Sequence, residues 1–124
     1  MAITHDTLTK NLIADAVCGV NLDNGATIAL LTAANVVVAS INLSADAFAV
    51  AVNGEAIGNN FPKQGTVINN GTITKFEIRN SAVVAKIFGT VSTIGGGGDM
   101  ELTSVTYVVS EIVNILSLAY RVPN

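Results

Sequence analysis

The stretch Thr74-Lys75-Phe76-Glu77-Ile78-Arg79, closed by Asn80-Ser81, decides the fold class. Charged Lys75, Glu77 and Arg79 alternate with Thr74, Phe76 and Ile78. Successive side chains of a strand point to opposite faces, so this alternation predicts a strand with one wet face and one dry face. Asn80-Ser81 then turns the chain into Val83–Val91, where Val83, Ala85 and Ile87 oppose Val84, Lys86 and Phe88.

The same period extends outward in both directions. Upstream, Ala26–Thr32 and Val36–Leu43 read as strands joined by a turn at Ala33-Ala34-Asn35, with Val37, Ala39, Ile41 and Leu43 on one face and Ser40 and Asn42 on the other. Asn53-Gly54 and Asn70-Gly71 are each expected to reverse the chain, because both residue types tolerate positive φ. Phe61-Pro62-Lys63-Gln64-Gly65 reads as a loop between them. Downstream, Gly95 to Gly98 breaks the structure, and Met100–Val105 resumes it with Met100 and Leu102 facing in. Ile112–Val122 closes the domain, but its inward phase slips between Val113/Ile115 and Leu118/Tyr120/Val122, which predicts a bulge near Leu116-Ser117.

Only the N-terminus departs from this period. Leu8, Leu12, Ile13, Ala16, Val17 and Val20 recur at helical spacing, with Lys10, Asn11 and Asp15 beside or opposite them. Thr4 or Asp6 can cap the start of such a helix, and Gly19 suits its end. The expected fold is therefore mainly β, an antiparallel β-sandwich or barrel of about eight strands preceded by one N-terminal amphipathic helix. Residues 1–22 form the helix or arm and residues 23–124 a single β domain. The turn at Asp23-Asn24-Gly25 would let the helix swing out to dock elsewhere.

Composition bounds the function. Of 124 residues, half are hydrophobic and only 12% are charged, against about 25% in ordinary soluble domains. A disordered chain would need the opposite balance. Six Lys and Arg against nine Asp and Glu leave no cationic field for phosphates, so nucleic acid is not an expected partner. Asn24 to Ala45 carries no charge, but Thr27, Thr32, Asn35, Ser40, Asn42 and Ser44 interrupt it, so a membrane is not expected either. Met1 to Lys10 lacks the apolar run of a signal peptide. A surface so poor in charge is expected to be covered in part by copies of itself or by a partner.

Catalytic and cofactor chemistry find little support. His5 and Cys18 are the only residues of their kinds, and helical rise would separate them by about 20 Å, too far for a nucleophile and its base. Cys18 is expected to be a buried structural thiol. The run Gly95-Gly96-Gly97-Gly98-Asp99 lacks the Lys-Ser or Lys-Thr and the helix of a phosphate loop, so it reads as a pliable connection. Asp23, Asp99 and Glu101 do not have calcium-loop spacing, and Asp46 and Glu55 are isolated carboxylates without a visible partner. Lys75, Glu77 and Arg79 read as a solvated face. The expectation is no enzyme, no cofactor and no metal.

The order of elements resembles a family of small virion structural proteins of tailed bacteriophages and prophages. The resemblance is carried by Leu12-Ile13-Ala14-Asp15-Ala16-Val17, Leu43-Ser44-Ala45-Asp46-Ala47-Phe48, Phe76-Glu77-Ile78 and Gly89-Thr90-Val91. It continues through Gly95-Gly96-Gly97-Gly98-Asp99-Met100-Glu101-Leu102, Val113-Asn114-Ile115-Leu116-Ser117-Leu118 and Tyr120 to Pro123. Two departures stand out: Ser110-Glu111 occupies a turn that is usually glycine, and Phe76 alone represents an aromatic-rich central strand.

The resemblance implies a non-enzymatic capsid decoration or cement protein, made in the host cytoplasm and located in the virion. It would act as a homo-oligomer, expected to be a trimer, bound to the major capsid protein or another virion protein. Its expected assembly contacts are Leu8, Leu12, Ile13, Ala16 and Val17, the apolar stripe of the helix. A tail, baseplate or fibre-associated component is the alternative within the same class. A carbohydrate-binding β-sandwich module is a distant one, since the chain has no Trp and only Tyr107 and Tyr120 as tyrosines.

Overall fold

The computed structural model describes residues 6–20, 22, 25–44 and 47–121. Its first element is helix α1 (Thr7–Asp15), continued by a wider π-helical turn over Ala16–Val20. Asp6 caps it, its Oδ1 accepting from the Thr9 amide at 2.8 Å, while Thr4 lies outside the described residues. Ala14 and Cys18, four residues apart and so on one side, are buried in the core. The helix thus packs on its own domain through its small side chains. Asp23 and Asn24, the first two residues of the expected swinging turn, lie outside the described residues.

Eleven short strands follow among the described residues: β1 (Thr27–Leu31), β2 (Val37–Asn42), β3 (Glu55–Ile57), β4 (Lys63–Thr66), β5 (Gly71–Thr72), β6 (Lys75–Arg79), β7 (Ala85–Thr93), β8 (Met100–Leu102), β9 (Thr106–Tyr107), β10 (Ile112–Ile115) and β11 (Ala119–Arg121). Five of them make one curled sheet in the order β2-β1-β6-β7-β8. The other six pair as two-stranded ribbons, β4 with β10, β3 with β11 and β5 with β9. The mainly-β fold behind one N-terminal helix agrees with the sequence, but the clean eight-stranded sandwich or barrel does not form. Strands of two to four residues carry too few ladder bonds to extend a second full sheet, so the far side of the core is closed by ribbons and loops.

The alternation in β6 holds: Phe76 and Ile78 are buried while Lys75, Glu77 and Arg79 are half-exposed. Central β1 has Ile28, Ala29, Leu30 and Leu31 all buried, as a strand covered on both faces must. Each such Ile or Leu contributes about 1.5–3 kcal/mol by leaving water. Met100 and Leu102 face in as expected, and Val113, Ile115 and Leu118 join them.

Four local expectations are corrected. First, β8 runs parallel to β7, with Val91 beside Met100, across a connection of only six residues, Ile94 to Asp99. Parallel neighbours usually need a dozen or more. The glycine run makes the short route possible: Gly95 and Gly97 hold φ of +88° and +84°, and a Cβ on Gly98 would lie 2.8 Å from the Ser92 backbone nitrogen. Second, Asn70-Gly71 does not form a two-residue turn, since Gly71 opens β5 opposite Tyr107. A Cβ there would lie 2.7 Å from Thr32 Cγ2, so close packing and not turn geometry requires the glycine. Third, Lys63-Gln64-Gly65 belongs to strand β4, paired with Asn114 and its neighbours in β10, and is no loop. Fourth, the last strand is divided. Leu116-Ser117-Leu118 separates β10 from β11, a three-residue break where a single bulge was expected, and the two halves pair with different partners. Asn53-Gly54, in contrast, is the expected tight turn, with positive φ at both residues between bridged Val52 and Glu55.

Candidate functional site

The expected contact residues of α1 do not share one environment. Leu8 and Leu12 are 68% and 63% exposed, and Ala16 is exposed beside them. Ile13 and Val17 are half-buried and pack against the core. At 3.6 residues per turn, Leu8, Leu12 and Ala16 form a ridge rotated away from the Ala14/Cys18 side. Soluble helices normally turn charge to water. Here the outward face presents Leu8, Leu12, Ala16 and Thr9, while Lys10 and Asp15 sit half-buried on its flanks.

A hairpin lies along one flank of the helix. The Ala51 amide donates to Asp15 Oδ1 at 2.8 Å, and the Gly54 amide donates to Asn11 Oδ1 at 2.7 Å. Asn11 and Asp15 lie on the helix between its buried side and the Leu8/Leu12 ridge, so these bonds set the hairpin directly beside the ridge. Ala51 points inward and is buried, which leaves Val50 and Val52 pointing out, and Ile57 is exposed as well. These three side chains line a groove of about 440 Å³. Glu55 and Arg121 stand at it as an ion pair, 3.0 Å apart. Glu55 therefore has the partner that its sequence neighbourhood did not reveal.

The ridge carries no charged side chain and the two charged residues lining the groove, Glu55 and Arg121, pair with each other, while the Lys10 side chain lies against Gly54 of the hairpin. A second apolar group, Ile68, Val108, Val109 and Ile112, is also exposed. Phe88, 68% exposed, and half-buried Tyr120 edge another groove of about 370 Å³, while Tyr107 is buried.

The remaining sequence candidates are held in structural contacts. Cys18 is buried, and its thiol is pushed up to about 12, first by burial and then by the Asp15 charge. At neutral pH it is a protonated thiol and a poor nucleophile. His5, Asp23 and Asp46 lie outside the described residues. The glycine loop directs its amides at its own protein: Gly98 donates to Ser92 Oγ, Gly97 to Glu101 Oε2 and Gly96 to the Thr93 carbonyl. Asp99 Oδ2 accepts from both the amide and the hydroxyl of Thr90. Glu77 and Arg79 pair at 3.0 Å. No group of three or more metal-ligating side chains occurs among the described residues.

One cluster has no local sequence signal. Ser44 Oγ accepts from Asn60 Nδ2 at 2.8 Å and from Lys63 Nζ at 3.1 Å, with the Lys63 ammonium 5.6 Å above the Phe61 ring. Serine and lysine form a catalytic pair in some hydrolases, where the lysine takes the hydroxyl proton. Here asparagine and ammonium both donate to Oγ, an arrangement that ties the end of β2 to the start of β4.

No family model matches the chain, and neither the curated proteins nor the solved structures contain a match.

Proposed function

We propose that this chain is a non-enzymatic structural protein of a tailed-phage virion, a capsid decoration or cement protein that works as a homo-oligomer on the head lattice. The segment-by-segment resemblance in the sequence suggests the setting, including the trimer expected there. The observation that carries the proposal is the set of exposed apolar side chains on α1 and the neighbouring hairpin, Leu8, Leu12, Val50, Val52 and Ile57, on a chain already poor in charge. Contiguous apolar surface of this kind marks contact with another macromolecule. A cement protein needs such contact, repeated in many copies, and no reacting group.

Co-sedimentation with phage heads stripped of decoration tests the proposal. Full-length protein should pellet with the heads and raise the temperature at which they rupture. Protein that stays in the supernatant overturns the decoration role. If particles lacking the protein then show intact heads with defective tails, the chain is a tail or baseplate component instead.

A further inference from the structure

We infer that the groove between β7 and β11 binds an uncharged saccharide, its sugar rings packed on Phe88 and Tyr120 and its hydroxyls held by Asp99 and Arg121. The inference goes beyond the assembly role proposed above and does not rest on it.

Aromatic side chains are scarce in this chain, four Phe and two Tyr with no Trp, yet Phe76, Phe88 and Tyr120 all line this one groove of about 370 Å³. Phe76 is buried and makes its floor, whereas Phe88 is 68% exposed at its rim. Glycine at position 89 creates that floor, since a Cβ there would run into the Phe76 ring and lie 3.3 Å from Asp99 Cβ. Asp99 and Arg121 line the same groove, and a neighbour holds each of them. The amide and hydroxyl of Thr90 donate to Asp99 Oδ2 at 3.0 and 3.1 Å, which fixes the carboxylate. Arg121 Nη2 donates to Glu55 Oε2 at 3.0 Å, which steadies the guanidinium. Apolar and aromatic walls with a few fixed polar groups are the general form of a small-ligand site.

The polar groups select the class of ligand. A pyranose ring has an apolar C–H face that packs on an aromatic ring and an edge of hydroxyls that both donate and accept. An ionised carboxylate only accepts and a guanidinium only donates, so sugar hydroxyls satisfy both Asp99 and Arg121. A proline-rich peptide also docks on aromatic grooves, but it offers mainly carbonyl acceptors and would leave the carboxylate covered without a donor. Charge narrows the class further. Asp99 repels an acidic sugar, and the Arg121 charge is already met by Glu55, so a neutral sugar fits best.

The test is saturation-transfer NMR on the full chain with neutral oligomers of glucose, mannose, galactose and N-acetylglucosamine at millimolar concentration, and with decaproline as the peptide probe. At least one sugar should receive saturation through its ring C–H protons, and decaproline should receive none. Phe88→Ala changes an exposed position, so the fold should survive, and circular dichroism checks that it does. The variant should bind that sugar about tenfold more weakly, through loss of the stacked ring, and Phe88→Tyr should restore binding. No transfer to any of the sugars overturns the saccharide site. Binding that Phe88→Ala leaves unchanged overturns its placement in this groove. Decaproline that binds where the sugars do not, and is lost in Phe88→Ala, overturns the ligand class and makes the groove a peptide site. Binding to phage heads is measured separately, so none of these results bears on the decoration role.

Discussion

Arg121 on β11 and Glu55 on β3 stand opposite each other in the register of the ribbon, their guanidinium and carboxylate 3.0 Å apart, although 66 positions separate them in the chain. Arg121 is mostly exposed, so the pair adds little to stability, about 0–1 kcal/mol. Arg121→Ala should therefore shift the urea midpoint only slightly, and added salt should shrink the difference. What the pair does is keep a charge-neutral rim on an apolar groove. Under the proposed decoration role, Glu55→Lys, which places two cations there, should weaken binding to stripped heads far more than it lowers the melting temperature.

The helix should be anchored at its first turn. Asp6→Ala removes the acceptor of the Thr9 amide and should cost about 0.5–2 kcal/mol in equilibrium unfolding. Asp6→Asn should recover most of that loss.

Alkaline pH should destabilise the protein through Cys18. Its thiol pKa is raised from 9.0 to about 12 in the folded state. The unfolded chain therefore ionises first, so this contribution to stability is complete below pH 9 and declines as pH rises from there towards 12. Tyr107 and Tyr120 are raised as well, by burial first and then by the charges of Glu111 and Cys18 respectively, and add to the same trend. Urea titrations at pH 7 and pH 10 should show the decline, and Cys18→Ala should show less of it. Cys18→Ser should cost about 1–3 kcal/mol, and iodoacetamide should label Cys18 only on unfolding.

The glycine loop should discriminate sharply among its members. Gly98→Ala pushes a Cβ to 2.8 Å from the Ser92 backbone nitrogen and should cost about 1–3 kcal/mol, loosening β8 from β7. Gly95→Ala meets nothing within 4 Å and suffers only its φ of +88°, so its cost should be smaller. Differential scanning calorimetry of the two variants gives the comparison.

What the sequence reveals and what it conceals follow from the range of the interactions. The alternation in Lys75–Arg79, the Asn53-Gly54 turn and the burial of Met100 and Leu102 are local, and each is readable from a few neighbouring residues. Parallel pairing of β8 with β7 is not, because a strand has the same period of two whichever way its neighbour runs. Asn70-Gly71 carries the same letters as a true turn, yet its glycine answers to Thr32, far along the chain. The stripe on α1 is legible as a stripe, but periodicity is silent on what covers it. Ala14 and Cys18 take the core side because their small side chains let the helix approach, and Asn11 and Asp15 lock that rotation to the hairpin. Ridge and groove are thus each visible only once the hairpin is seen beside the helix.

The most direct measurement of the proposed role is a cryo-electron reconstruction of a tailed-phage particle assembled with this chain, the chain being located in its density. The proposed decoration role predicts repeated copies on the outer surface of the head. Density for the chain confined to the tail, or its absence from the particle, would contradict it.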